Sequence, residues 1–226
     1  MINKIHSIRS NHLVSIILAS FVSLNGTLGI ILQIIRAFNF ENRTAALATT
    51  FVYFTTQSNS LVILIPLLFI LGFNDKKWFK ILAFITLINI TMTSIIFHVL
   101  ITPFMSSVGM MQHILHTTNP VLFIIFYFVI ITDFVPLKKV WVGLIYPLIY
   151  ILFVYLIAEP ILGDLLELAS PSFQSARYVY PFLDPNQYQH GILGLLVFNF
   201  GIIAPLILLF TLFLAHLKKK FESNLA

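Results

Sequence analysis

Six long apolar stretches constrain this chain more than any other feature of its sequence. They cover residues 13–35, 49–72, 79–101, 112–133, 140–162 and 191–215. Each is close to the roughly 20 residues that a helix needs to cross the hydrocarbon core of a bilayer. No strand-like alternation is found, and open backbone is not stable in hydrocarbon. The sequence therefore predicts an all-α polytopic membrane protein, folded as a bundle of six transmembrane helices.

The composition agrees with a chain whose main solvent is lipid. Hydrophobic residues make up 59% of the chain and charged residues only 9%, whereas a soluble domain is about one quarter charged. Because cysteine is absent, disulfides, thiolate metal sites and cysteine nucleophiles are excluded. The first stretch is too long for a signal peptide and no small-residue cleavage site follows it. We predict that it is the first span of a single transmembrane domain over residues 1–226.

Basic residues are distributed unequally between the two predicted sides. Ten of the 13 Lys and Arg residues lie in segments that share the side of the N-terminus, and the other three are Arg36, Arg43 and Arg177. Cytoplasmic loops are the ones enriched in Lys and Arg. Both termini are therefore predicted to be cytoplasmic, in a multi-pass protein of the cell membrane. The same rule explains the positive net charge, so we expect membrane lipids and no nucleic acid as partners.

Polar groups from three predicted spans fall at one depth. Counting about 1.5 Å per residue, Thr55, His98 and His116 each lie within roughly 10 Å of the outer boundary. Helical spacing aligns Thr55 with Asn59, and His113 with His116. Such groups either hydrogen-bond one helix to another or, when they ionise within a span, mark a functional site. The matched depth favours a polar centre in the outer half of the bundle.

Pro120 ends the polar stretch "HILHTTNP" and has a local effect. Proline has no N–H to donate to the carbonyl of His116, four residues earlier. We therefore expect a free carbonyl at His116 and a bent helix.

Three motifs resemble the androgen-induced gene one family of six-span membrane hydrolases. "HILHTTNP" resembles the His-x-x-His-Thr-Thr signature of that family, and "VYFTTQSN" resembles the segment around its threonine nucleophile. "YVYPFLD" is similar to the Tyr-Pro-Phe-Leu-acidic segment that precedes the last span. Order and spacing agree over residues 45–215, and bacterial six-span relatives of unknown activity look nearer than the animal enzymes.

The resemblance implies an activity and two catalytic residues. Animal members hydrolyse fatty acid esters of hydroxy fatty acids with a threonine and a histidine inside the membrane. The matching threonine is Thr55, which follows Tyr53-Phe54, with the adjacent Thr56 as the alternative; the matching histidine is His116. The resemblance thus implies a lipid ester hydrolase of the bacterial plasma membrane, with no cofactor and no metal. One departure is that only Asn119 separates the Thr-Thr pair from proline.

The implied chemistry is physically reasonable for these residue types. A threonine hydroxyl attacks efficiently only when a base removes its proton, and a neutral imidazole suits that role. Asn59 or His113 is a candidate donor to the oxyanion. The long connection at residues 160–190 contains Tyr180 and Asp184 as candidate supporting residues. It is either an aromatic anchor at the interface or a lid over the site.

Other classes of function remain open at this stage. His98, His113 and His116 are candidate zinc ligands with water in the fourth position, which would give a metal-dependent membrane hydrolase. Two histidines at matched depth are also typical of haem ligation. A transporter or a non-catalytic scaffold is the remaining alternative, although no paired intramembrane charges or broken helices in related halves indicate transport.

Overall fold

The computed structural model describes residues 2–105, 107–133 and 135–225, in which every regular element is helical. The first six α-helices are α1 (Ile2–Ser10), α2 (His12–Phe38), α3 (Arg43–Thr49), α4 (Phe54–Ile70), α5 (Lys77–Ile96) and α6 (Met110–His113). The remaining five are α7 (Asn119–Val129), α8 (Ile145–Phe153), α9 (Glu159–Ala169), α10 (Gly191–Phe198) and α11 (Ala204–Leu225). The all-α class predicted from the sequence is confirmed.

Four helical units in the described ranges are long and apolar enough to cross a membrane. They are His12–Phe38, Lys77–Val99, Leu137–Ala169 and Gly191–Leu225. A fifth is obtained if Arg43–Val52 and Phe54–Ile70, which are bent by 63° at their junction, form one span. The fourth predicted span, residues 112–133, corresponds to the helical residues 110–129 and is not in this set; its first half contains polar residues that lower its hydropathy. Several apolar helices of this length make the chain a membrane protein by length and composition.

The second predicted span does not begin at residue 49. Tyr53 is extended, with φ −70° and ψ 135°, and it interrupts the helix between residues 52 and 54. Neighbouring side chains bind the carbonyls near this break: Tyr150 donates to Val52 O at 3.1 Å and Gln57 donates to Phe51 O at 3.0 Å. As a result, Thr55 lies in the first turn of α4 rather than inside a continuous helix.

Helices α2, α4, α5 and α7 pack around one another and form the centre of the bundle. Gly29 of α2 allows close packing, because a Cβ atom there would lie 2.8 Å from Leu115 Cδ2 and 3.2 Å from Asn119 Nδ2. Small residues have this role in membrane helix pairs in general. The outer faces of α8 to α11 keep large apolar side chains exposed, which is typical of surfaces covered by lipid.

In the part of the chain that the structure describes, four π-helical segments interrupt the bundle helices, and each ends two residues before a proline. The segments are Phe97–Ile101, Ile114–Thr118, Val154–Ala158 and Asn199–Ile203; the prolines are Pro103, Pro120, Pro160 and Pro205. A wider turn makes room for a ring that would otherwise clash with the preceding turn. Around Pro120, side chains of neighbouring helices bind the carbonyls that are released.

A cluster of charged side chains joins the two terminal helices. Arg9 of α1 forms a bidentate ion pair with Glu222 of α11, at 2.7 and 2.9 Å. Lys218 is fully buried and donates to Glu222 and to the carbonyls of Tyr127, Phe128 and Ile131. Arg9 and Lys218 thus bind the carbonyl end of α7, where cations are favourable.

Candidate functional site: a polar cavity at one end of the bundle

A cavity of about 360 Å³ opens between α2, α3, α4, the helical residues 110–129 and the 170–190 connection. Thr55, His116 and Tyr180 line it. Asn59, His98, His113 and Asp184 are not among its lining residues. The cavity therefore brings together three of the seven side chains singled out from the sequence, including the threonine–histidine pair.

Thr55 and its neighbour Thr56 differ in their access to the cavity. The Thr55 side chain is half-buried and lines the cavity, whereas Thr56 is fully buried and its hydroxyl accepts a hydrogen bond from Gln33 Nε2 at 2.7 Å. The hydroxyl that a ligand in the cavity reaches is that of Thr55.

The position of Thr55 in the first turn of α4 adds a feature that its sequence motif does not reveal. The first hydrogen bond of this helix runs from Gln57 N to Tyr53 O. The first N–H groups of a helix have no partner inside it, and they lie at the positive end of the helix dipole. The backbone N–H groups of Phe54 and Thr55 therefore have no partner inside the helix and are donors to an oxygen of a neighbouring group beside the Thr55 hydroxyl.

His116 lies across the cavity from α4 on the helical residues 110–129. Its ring stacks on Phe97 with a centroid separation of 3.9 Å and an interplanar angle of 8°. Its buried Nδ1 atom has no hydrogen-bond partner among the described residues. The stacking fixes the plane of the imidazole, while an unpartnered ring nitrogen leaves a site for proton exchange.

The backbone around His116 is shaped by Pro120, as the sequence predicted. The His116 carbonyl, which Pro120 cannot bind, accepts a hydrogen bond from Ser94 Oγ of α5 at 2.7 Å. The preceding carbonyl, that of Leu115, accepts one from Asn59 Nδ2 at 3.2 Å. Neighbouring helices thus hold the π-helical turn that presents His116 to the cavity.

Asn59 is a connection between helices rather than an open donor. It is fully buried, and its amide nitrogen donates to the carbonyls of Thr55 and Leu115, while its oxygen accepts from Asn119 Nδ2 at 2.7 Å. Both of its N–H groups are occupied, so the oxyanion role expected from the sequence does not fit its geometry. Asn59 instead ties the first turn of α4 to the turn that presents His116.

Two histidines predicted to face the polar centre are exposed instead. His98 Nε2 lies 2.9 Å from Thr117 Oγ1, and His113 precedes the wide π-helical turn. Both side chains are exposed. The spacing of His113 and His116 suggested a shared face, but it assumed a regular α-helix through residues 114–118. Among the described residues, no three His, Asp or Glu side chains come together as a metal site.

Tyr180 reaches the cavity from the 170–190 connection. Burial raises the pKa of its hydroxyl to about 12, an effect that the Thr55 hydroxyl and the N–H groups of Phe54 and Thr55 partly offset by facing the phenol oxygen. Tyr180 therefore stays protonated at ordinary pH and lies beside Thr55 and the start of α4.

The backbone that carries Tyr180 is strained. Val179 has φ 69° and ψ −40°, and Tyr180 N donates to Tyr178 O at 2.7 Å. This is the rare γ-turn with positive φ, and a β-branched residue adopts it only when its surroundings enforce it. Val179 and Leu183 are buried against α8 and α9, which provides that enforcement.

Asp184 and Arg177 organise the same connection from outside the cavity. Asp184 is buried and accepts from Ser175 Oγ at 2.8 Å and from Asn186 N at 2.9 Å. Arg177 pairs with three carboxylates of α9, of which Glu167 contributes most and Glu159 least, and they raise its pKa above the usual value. Asp184 is thus part of the loop scaffold and does not contact the cavity.

The cavity lining also includes residues that were not predicted from the sequence, among them two polar residues of α2. Gln33 and Arg36 of α2 both line the cavity. Gln33 lies inside the first apolar stretch without a motif around it, and Arg36 was counted only as a topological charge. The sequence held one indication of this role: Gln33 is a polar residue in the half of the first stretch that lies nearest the predicted polar centre.

Comparison with known proteins gives no relative for this chain. No family model, no curated protein and no solved structure matches it significantly.

Proposed function

We propose that this protein is a membrane hydrolase of lipid esters in which Thr55 is the nucleophile and His116 the general base. The observation that carries the proposal is that both side chains line one cavity, while Thr56 is buried and bound by Gln33. The motif resemblance to the androgen-induced gene one family supports the same two residues. The substrate class is that of fatty acid esters of hydroxy fatty acids.

The reaction proceeds in two stages. His116 takes the proton of the Thr55 hydroxyl as its oxygen attacks the ester carbonyl, and Tyr180, whose phenol oxygen faces the N–H groups at the start of α4, donates to the resulting oxyanion. The imidazolium returns the proton to the departing alkoxide, which leaves as an alcohol, and an acyl-threonine ester remains. Water then attacks that ester while His116 takes its proton; the imidazolium returns this proton to the Thr55 oxygen, which leaves as the restored hydroxyl while the fatty acid is released.

Tyr180 acts beside this pair. A protonated phenol next to Thr55 can donate to the ester or to the oxyanion, and its strained backbone fixes the position from which it does so. The absence of a carboxylate near His116 in the described residues is consistent with a threonine–histidine pair that works without a third acidic member.

The architecture that accompanies the proposal is the six-span bundle with cytoplasmic termini. In this architecture the bent pair of helices is one span and the helical residues 110–129 are another. The cavity then lies in the outer half of the plasma membrane. This topology is supported by the asymmetry of the basic residues and by the contact between α1 and α11 through Arg9 and Glu222. An ester dissolved in the outer leaflet then enters the cavity laterally.

The test is ester hydrolysis by purified protein in detergent. Thr55→Ala is expected to lower kcat by at least about a thousandfold, and His116→Gln by about a hundredfold or more. Because the pair acts as a unit, the double variant is expected to lose little beyond the single Thr55→Ala change. Thr56→Ala is the matched control: it removes one hydrogen bond and is expected to retain activity within about tenfold of the wild type. Full activity in Thr55→Ala would refute the assignment.

A further inference from the structure

Arg36 is the one Lys or Arg side chain among the described residues that line the cavity. It lies in the last turn of α2 and is exposed at the mouth of the cavity. None of the ion pairs in the described residues includes it. Its guanidinium carbon lies 5.7 Å from the centre of the Phe40 ring. A guanidinium that takes part in no ion pair and lies at the entrance of a cavity has the chemistry to bind an anionic group.

The position of Arg36 relative to the reacting groups is defined by Gln33. Gln33 precedes it by three residues on the same helix, so the two lie on one face and are separated by about 5 Å along the axis. Gln33 in turn donates to Thr56, the neighbour of Thr55. Arg36 therefore lies about one helical turn outward from the level of the threonine pair.

The geometry points to Arg36 as the residue that binds the negatively charged head group of the substrate. This inference rests on the proposed function and specifies its substrate: an ester whose molecule also bears an anionic group at the membrane surface. Carboxylate and phosphate monoester groups share the required chemistry, because both accept two parallel hydrogen bonds from a guanidinium. The hydrocarbon part of such a lipid lies in the bilayer and its ester bond lies at Thr55.

A purely structural role for Arg36 makes a different prediction. Its charge also offsets the partial negative end of α2, and its stacking on Phe40 adds packing. Both effects stabilise the protein, and neither gives a preference between anionic and neutral ligands. The discriminating observation is therefore a preference for anionic over neutral ligands.

Two matched pairs of esters test the inference in detergent micelles. One pair is a fatty acid ester of a hydroxy fatty acid and its neutral methyl amide; the other is a monoacylglycerol phosphate and the corresponding monoacylglycerol. The wild type is expected to prefer the anionic member of one pair by about tenfold or more in kcat/KM, the effect of a charged hydrogen bond. The pair that shows the preference identifies the head group as carboxylate or phosphate.

Arg36→Gln is expected to reduce that preference to about one, and Arg36→Lys to leave part of it, because lysine retains the charge but not the planar fork. Arg43→Gln is the matched control, since Arg43 is exposed on the same side of the bundle and does not line the cavity. It is expected to keep the full preference. No preference in the wild type, or a preference that survives Arg36→Gln, would overturn the inference even if hydrolysis depends on Thr55.

Binding separates this inference from failure of the catalytic proposal. Ether analogues of the same two pairs lack the scissile carbonyl, and their affinity is measured for the wild type and for Thr55→Ala. The inference is supported, even if no ester is hydrolysed, when the anionic analogue binds more tightly than the neutral one and Arg36→Gln makes their affinities equal. Equal binding of charged and neutral analogues would refute it independently of activity.

Discussion

At the scale of single residues, the site depends on which of several similar side chains reaches the cavity. Thr55 reaches it and Thr56 does not, although the two are adjacent. His116 lines the cavity and His113, one turn earlier, is exposed. These differences arise from the break at Tyr53 and from the π-helical turn after His113, so residue type alone does not define the site.

Tyr180→Phe tests the contribution of the loop at this scale. The change removes only the hydroxyl beside Thr55, so we expect kcat to fall by about tenfold or more, the typical range for one donor to a developing charge. Thermal unfolding in detergent is expected to change little, because the ring still packs on Phe182 at 5.2 Å and Tyr150 at 6.2 Å. The control is Tyr188→Phe, whose hydroxyl binds Phe182 O away from the cavity. Equal loss of activity in both variants would contradict a specific role of Tyr180.

At the scale of helices, prolines and small polar residues cooperate. Each π-helical segment is followed by a proline two residues later, and around Pro120 the released carbonyls are bound by Ser94 and Asn59. The sequence predicted the free carbonyl at His116 from the proline rule alone. It did not predict which side chains bind the freed carbonyls, because that depends on the packing of α4 and α5 against the helical residues 110–129.

Pro120→Ala is the corresponding test. Alanine restores an N–H and favours a regular α-helix, which removes the need for the wide turn and rotates His116 relative to Thr55. We expect activity to fall at least about tenfold while the protein remains folded and membrane-inserted. Pro66→Ala in α4 serves as control, since Pro66 lies inside a helix that is α-helical from Phe54 to Ile70. Unchanged activity in Pro120→Ala would show that the turn does not position His116.

Asn59→Ala tests the link between the two helices that carry the reacting residues. It leaves the buried oxygen of Leu115 and the amide of Asn119 without their partner, so we expect a loss of about 2 to 4 kcal/mol in the free energy of unfolding. Ser60→Ala is the matched comparison, because its hydroxyl binds only the Thr56 carbonyl within the same helix. A similar small effect for both variants would indicate that the Asn59 network contributes no helix packing.

At the scale of the whole molecule, the apolar stretches predicted the class of fold, and the structure corrected its details. The all-α class followed directly from the length of the stretches. The break in the second stretch did not, because residues 49–60 contain no proline or glycine to mark it, and only the contacts of Tyr150 and Gln57 reveal the bend. The loop was recognised as a long connection, but its strained approach to Thr55 depends on packing against α8 and α9.

The contact between the terminal helices makes a prediction at this scale. Glu222→Gln leaves Arg9 and the buried Lys218 without their anionic partner, so we expect a loss of about 3 kcal/mol in unfolding free energy. Asp133→Asn is the control, because its ion pair with Lys80 involves a carboxylate that is 69% exposed, and exposed pairs contribute at most about 1 kcal/mol. Thermal unfolding in detergent measures the loss of stability in each variant. Equal losses in Glu222→Gln and Asp133→Asn would show that the terminal cluster does not contribute more than an exposed ion pair.

Topology is tested by a C-terminal fusion to a reporter that is active only outside the cytoplasm. The ten-to-three distribution of basic residues predicts a cytoplasmic C-terminus, so the fusion is expected to be silent, and the same reporter inserted after Ser172 in the long connection is expected to be active. Strong signal from the C-terminal fusion would reverse the orientation and assign the cavity to the inner leaflet.

The central claim is that Thr55 is a nucleophile, and the most direct measurement is the site at which a fluorophosphonate probe modifies the protein. Peptide mass spectrometry of labelled wild-type protein is expected to find the phosphonate on Thr55, and labelling is expected to disappear in Thr55→Ala and to weaken strongly in His116→Gln. Thr56→Ala is expected to remain labelled. Modification of another residue, or labelling that persists in Thr55→Ala, would contradict the account.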